Sequence, residues 1–330
     1  CLSHTSALDN GLARRPPMGF NSYMSGVAGE SGLGAIADFF ASSGMARSGY
    51  EYVNTDEGWE LPGRDNATNK LRWDPRAYPS GLPAFISTLH QKGFKYGIYG
   101  AASGVTCGRN AGQLYYEDLD ARTYAEWGVD FLKSDNCASY ALDSSVRFGA
   151  MRDALNRTGR SILLSIEPFS IRPDEEQGPR VSNMWRIGCD ISCSWPTIID
   201  RADISDKWAP LAGPGGWNDP DMINLDARKL TPGENRVYFA LWCVMKAPLL
   251  LSSNLPKLDA SLIALANNTE LIAVNHDALG VQGRKLAVDG RALPWLVSLA
   301  PCDTAPPVFR SRAMAWIPPP PSAATLARGR

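Results

Sequence analysis

The strongest constraint on the fold is a recurrence. A short apolar, β-rich run is followed by a segment of helical periodicity, again and again along most of the 330 residues. The runs are Met18 to Tyr23, Tyr50 to Asp56, Phe94 to Ala101, Val129 to Asp135 and Ser161 to Glu167. Trp185 to Ile191, a weaker run from Gly216 to Met222, and Ala247 to Ser253 complete the series. Between runs, Ile36, Phe39, Phe40 and Met45 mark one apolar stripe, and Leu82, Phe85, Ile86 and Leu89 another. About eight such units, roughly 30 to 40 residues apart, predict an α/β fold of the (β/α)8 TIM-barrel type. A doubly wound open sheet is the competing architecture. Its commonest form needs a Gly-rich turn after the first strand, and none is present. After about residue 285 the pattern stops. Ala305-Pro306-Pro307 and Pro318 through Pro321 do not read as strand or helix, because proline removes a donor and fixes φ. Residues 10–285 are therefore expected to form the barrel, and roughly 300–330 a poorly structured tail.

Composition excludes several classes. Lys+Arg at 33 against Asp+Glu at 34 offers no electrostatic attraction for nucleic acid or an anionic membrane. No run approaches the roughly 20 apolar residues of a membrane-spanning helix. The three histidines, His4, His90 and His276, show no ligand-like spacing, which argues against a histidine-rich metal hydrolase. Seven cysteines leave at least one thiol unpaired. Sequons at Asn66, Asn156 and Asn267 permit glycosylation in a secretory pathway. The chain starts at Cys1 with no signal-like region, so it is expected to be processed or a fragment, with any targeting signal outside it.

Acidic, basic and aromatic residues gather where the predicted strands end. Asp135 closes Leu132-Lys133-Ser134-Asp135, and Asp190 lies in Arg186-Ile187-Gly188-Cys189-Asp190. Alone, either aspartate reads as a helix cap or loop residue. Asn54-Thr55-Asp56-Glu57, Gly97-Ile98-Tyr99 and Asn218-Asp219-Pro220-Asp221 repeat the pattern. Lys133 and Asp135, two apart, leave the same face of their strand. Unpaired charges are expensive to bury, so their recurrence at barrel strand ends points to one polar pocket. Oxygen acceptors beside a lysine, an arginine and aromatic rings suit a sugar, and two carboxyls are the minimum for cleaving a glycosidic bond. Lys133 and Arg186 would repel a cation, which argues against a metal, and bond cleavage by two carboxyls calls for no organic cofactor.

Five segments carry a family resemblance. They are Pro16-Pro17-Met18-Gly19-Phe20-Asn21-Ser22, Tyr50-Glu51-Tyr52-Val53-Asn54, Leu132 to Cys137, Gly213 to Met222, and Lys246-Ala247-Pro248-Leu249-Leu250. The chain resembles the α-galactosidases and α-N-acetylgalactosaminidases of glycoside hydrolase family 27, the melibiase family, from about Asn10 to Arg284. The resemblance implies a retaining exo-glycosidase that removes terminal α-D-galactosyl residues from an oligosaccharide, polysaccharide or glycolipid. Asp135 would be the nucleophile and Asp190 the acid/base, with carboxyls about 5 to 5.5 Å apart. Asp190 would start protonated, its pKa raised, while Asp135 stays ionised beside Lys133. Phe20 would wall the sugar. Asp56 and Glu57 would hold its 4- and 6-hydroxyls, Tyr99, Lys133 and Asp221 would line it, and Arg186 and Glu167 would meet the 2-position. Cys107 and Cys137 would form a disulfide beside the nucleophile. Residues 286–330 would be the remnant of a C-terminal antiparallel β-domain, and the protein would be secreted or lysosomal/vacuolar.

The sequence departs from the family at several points. Phe20 replaces a common tryptophan, and Glu57 replaces the second residue of an Asp-Asp pair. The added methylene directs Glu57 toward the space of galactose's hydroxymethyl group, which suits a β-L-arabinopyranosidase; folded back, it leaves room for galactose. Cys189 and Cys193 flank Asp190 without a clear physical reason. A carbohydrate-binding barrel without catalysis is the alternative of a different class, and the joint retention of Lys133, Asp135, Arg186 and Asp190 speaks against it.

Overall fold

The computed structural model describes Leu8, residues 10–138, 142–168 and 177–286, and the short strands at 295–296 and 314–315. Seven of the eight expected runs contain a strand, and the sixth, Trp185 to Ile191, overlaps one that starts a residue earlier: β1 (Met18–Asn21), β2 (Tyr52–Asn54), β3 (Lys95–Ala101) and β4 (Phe131–Asp135). β5 (Leu163–Ile166), β6 (Met184–Arg186), β7 (Trp217–Asp219) and β8 (Leu249–Leu251) follow. Helices α1 (Gly29–Ser43), α2 (Leu82–Gln91), α3 (Glu117–Trp127) and α4 (Ser144–Arg157) connect the first five strands. α5 (Gln177–Val181), α6 (Trp195–Trp208) and α7 (Pro232–Val244) connect the rest, and α8 (Ala260–Ala266) and α9 (Thr269–Asn275) come after β8.

The strands pair in the order β7-β6-β5-β4-β3-β2-β1-β8, all parallel. Closure comes from the residue Ile223, beyond β7. Its N–H donates to Leu250 O and its carbonyl accepts from Ser252 N–H, each at 2.8 Å. The fold is a (β/α)8 barrel. Between β7 and Ile223, Pro220 and the left-handed Asp221 (φ 86°) redirect the chain. That conformation costs a non-glycine residue about 1–3 kcal/mol and persists where the surroundings over-determine it.

Strand alternation sorts the side chains. Tyr52, Phe131, Leu163, Met184 and Leu250 form a floor inside the barrel, with Leu12 and Ala13 packed on it. Their neighbours Val53, Leu132, Leu164, Trp185, Leu249 and Leu251 join the larger core between sheet and helices. The α1 residues Leu33, Ile36, Ala37 and Phe40 and the α2 residues Leu82, Phe85, Ile86 and Leu89 are buried in that layer. Two residues further along each strand from the floor, the inward positions become polar: Asn54, Lys133, Ser165 and Arg186. Gly97 is required on β3 because a Cβ there would lie 2.1 Å from Asn54 Oδ1.

Short strands at Arg284–Lys285, Trp295–Leu296 and Met314–Ala315 (β9, β10 and β11) form a separate antiparallel sheet, β11-β10-β9. The latter two fall where the sequence shows no strand pattern. Two-residue strands are too short for an alternation to register, and their pairing comes from contact between distant segments. The rest of the Pro-rich tail lies outside the described residues. Among those described, no helix is long and apolar enough to cross a membrane.

Candidate active site

The site builds outward from β4. Lys133 and Asp135 point into the barrel, and Asp135 is 5% exposed. Tyr99 OH, from β3, donates to Asp135 Oδ2 at 3.1 Å, and Asn136 N–H donates to Oδ1 at 2.6 Å. Cys107 and Cys137 are joined by a disulfide. Its sulfurs and an Asp135 carboxyl oxygen all lie within 4.8 Å of one another. Both sulfurs are oxidised, so this cluster offers no thiolate to a metal. Burial pushes the Asp135 carboxyl up; the Lys133 charge and the two hydrogen bonds offset only part of that.

Asp56, just beyond β2, is fixed on every side. Its Oδ2 accepts from Lys133 Nζ at 3.0 Å and from Asn21 Nδ2 at 3.1 Å. Its Oδ1 accepts Glu57 N–H at 3.0 Å, and its own N–H donates to Ser22 Oγ at 2.8 Å. Glu57 turns outward. Both its carboxyl oxygens accept Gly108 N–H at 2.8 Å, in the loop that carries Cys107. The folded-back arrangement is the one present. Gly108 suits the contact, because a Cβ there would sit 2.7 Å from Glu57 Oε1.

Arg186 ends β6 and gathers three carboxyls, Glu167 at 2.9 Å and Asp190 and Asp221 at 3.0 Å each. Lys133 Nζ lies 3.7 Å from Glu167, so an unbroken run of charge links Asp56, Lys133, Glu167, Arg186 and Asp190. Asp221 spends its carboxylate on support: Oδ2 accepts Ile191 N–H at 2.8 Å, and Oδ1 accepts Met222 N–H at 2.7 Å. The first of these tethers the loop that bears Asp190. The side chains of Arg186, Glu167 and Asp221 are 4%, 3% and 5% exposed, whereas that of Asp190 is 55% exposed. Asp190 is the open carboxyl of the group.

A family comparison now decides the kinship. The sequence model of the family described as alpha galactosidase A matches residues 25–277. The chain belongs to that family. Alpha-galactosidase 3 of Arabidopsis thaliana is 42% identical over 285 residues, covering 86% of this chain. This chain spans 65% of that relative's length. Among solved structures, alpha-galactosidase I from Mortierella vinacea superposes with a TM-score of 0.84 at 31% identity, covering 88% of this chain and 80% of that one. The Saccharomyces cerevisiae α-galactosidase with raffinose gives 0.80 at 27% identity, over 89% and 73% of the two chains.

Against the family's pattern, three expectations need correction. Phe20 does not wall the pocket. It is 0% exposed and packs in the core between sheet and helices, as do its β2 and β8 partners Val53 and Leu251. The exposed aromatic ring beside Lys133 is Tyr23, 58% exposed, with Lys133 Nζ 5.5 Å from its centroid. Strand alternation could have found it: Met18 and Phe20 share the outward face, and Tyr23 continues the inward series of Gly19 and Asn21. Second, Asp190 does not sit on a strand; β6 stops at Arg186, and Asp190 lies four residues on.

The third correction concerns the proton. Burial pushes Asp190 up, but the charge and hydrogen bond of Arg186, a hydrogen bond from Glu167 and the Lys133 charge outweigh it, leaving the carboxyl below its ordinary range. Glu167 goes the other way. Burial, opposed by Arg186 and Lys133, pushes it up to about 8. The expected raised pKa at Asp190 is thus found on its neighbour. Asp219, part of the strand-end pattern but given no role there, is buried and pushed up to about 6 by desolvation despite Arg186. With two cations among six carboxyls, burial favours protonating some of the carboxyls.

Proposed function

We propose that this protein is a retaining exo-glycosidase acting on terminal α-D-galactosyl residues. The observation that carries the reading is the linked pair: a buried Asp135 braced by Tyr99 and Asn136, and an exposed Asp190 held by Arg186, in one charge network. Asp135 attacks the anomeric carbon and forms a glycosyl-enzyme, while Asp190 passes to the departing oxygen a proton it takes up from its hydrogen-bonded neighbour Glu167, which is pushed up to about 8. Asp190 then takes a proton from water, whose oxygen displaces Asp135 with net retention. Asp56, Lys133 and Tyr23 bind the sugar's hydroxyls and C–H face, and Arg186 with Glu167 reads the 2-hydroxyl, where bulk and charge reject an N-acetyl group. Glu57, engaged by Gly108, leaves room for the hydroxymethyl group and so favours galactose over L-arabinopyranose. The disulfide supports an oxidising compartment, secreted or lysosomal/vacuolar. Residues 10–285 are the proposed catalytic unit.

The test is hydrolysis of nitrophenyl α-D-galactoside and β-L-arabinopyranoside by the protein and its Asp135→Ala and Asp190→Ala variants. Each variant should stay folded and lose most of kcat, by about a thousandfold or more. Azide should restore Asp135→Ala as a glycosyl azide of inverted configuration. Full activity in either variant, or preference for the arabinoside, would overturn the corresponding assignment.

A further inference from the structure

The loop that bears Asp190 rests on the segment just beyond β7. Ile191 N–H donates to Asp221 Oδ2 at 2.8 Å, and two residues on, Cys193 Sγ donates to Asn224 O at 3.2 Å. Burial pushes the Cys193 thiol up to about 11, so it stays protonated and able to donate. Asp221 stands in the left-handed region at φ 86°, a conformation that a non-glycine residue keeps only where its surroundings enforce it. Part of that enforcement comes from α7, in the outer layer. Trp242 Nε1 donates to Asp221 O and Tyr238 OH to Met222 O, each at 2.8 Å. Asn224 N–H donates in turn to Tyr238 OH at 3.3 Å. Tyr238 and Trp242 share one face of the helix, their rings edge to face with centroids 4.5 Å apart. Both are fully buried, so neither can touch a substrate. They grip Asp221, Met222 and Asn224, and Asp221 and Asn224 are the residues on which the Asp190 loop is fastened.

We infer that Tyr238, Trp242 and Cys193 are positioning residues for the acid/base: α7 fixes the backbone at Asp221 and Asn224, and that backbone fixes Asp190 at the departing oxygen. The assignment rests on the galactosidase reading, with Asp190 as its acid/base. Its test is the dependence on leaving group. A nitrophenolate departs with little proton transfer, whereas an alkoxide needs it. A displaced acid/base therefore slows release of methanol from methyl α-D-galactoside more than release of nitrophenol. The comparison is of kcat/KM on the two substrates for the parent, Tyr238→Phe, Trp242→Phe and Cys193→Ala, each checked for cooperative melting. Each variant should lower kcat/KM on the methyl galactoside about tenfold, and on the nitrophenyl galactoside less than about threefold. Cys193→Ser, which keeps a donor, should recover most of what Cys193→Ala loses. Cys193 is only half-buried, so Cys193→Ala tests the tie even where the core variants do not fold. Losses of equal size on both substrates, or none on either, in folded variants would overturn the positioning role while leaving the galactosidase reading intact. Failure of the unaltered protein to release nitrophenol from the α-galactoside would overturn that reading, and the positioning role with it.

Discussion

Arg186 is the residue on which the site turns. It holds Glu167, Asp190 and Asp221 at once, so it sets both the position of Asp190, the proposed acid/base, and where protons reside. Removing its charge must raise the pKa of every carboxyl it faces. Arg186→Gln should therefore move the alkaline limb of the kcat/KM profile to higher pH, while lowering its maximum about a hundredfold. Arg186→Lys, which keeps the charge, should leave the limb in place, and a pH–rate series on the three proteins checks this. The identity of Arg186 was legible from its place at a strand end. Its triple pairing was not, because Glu167 and Asp221 reach it from other strands.

Among elements, the loops after β2 and β3 act together. Glu57 accepts Gly108 N–H, Glu60 Oε1 accepts from Asn110 Nδ2 at 3.3 Å, and Cys107 is bonded to Cys137 beyond β4. The disulfide closes a loop with a sequence separation of 30, worth roughly 3–4 kcal/mol by chain entropy. A Cys107→Ser/Cys137→Ser double variant should melt several degrees lower by circular dichroism and lose kcat as the support beside Asp135 loosens. Glu60 brings a pH dependence. Burial, opposed by hydrogen bonds from Gly58 N–H and Asn110, pushes it up from 4.5 to about 7. Between those values the folded chain holds a proton that the unfolded chain has released, so its contribution to stability falls as pH rises. Denaturant unfolding of Glu60→Gln should show its stability, relative to the parent, growing between pH 4.5 and 7; a flat difference would contradict the linkage.

For the whole molecule, the barrel and its tail meet at β9. Lys285 N–H donates to Asp206 Oδ1 at 2.7 Å, and Arg284 Nε pairs with the same oxygen at 3.1 Å, fastening this strand to α6. A chain ending at residue 286 keeps those contacts, so it should fold, melt within about 5 °C of the parent and retain nitrophenyl galactoside turnover. Loss of cooperative melting would show that the barrel depends on residues 287–330. By itself the sequence determined the eight strands, their order and the local motifs that carry Asp135 and Asp190. Those depend on short-range periodicity and turn chemistry, which a linear text records. Only the tertiary structure decided that Phe20 faces the helices and Tyr23 the pocket, that Glu57 turns to Gly108, that Ile223 closes the ring and that Glu167 rather than Asp190 is pushed up. Each outcome depends on side-chain rotamers, desolvation and charges brought together from strands far apart in the chain, and no local spacing encodes those distances.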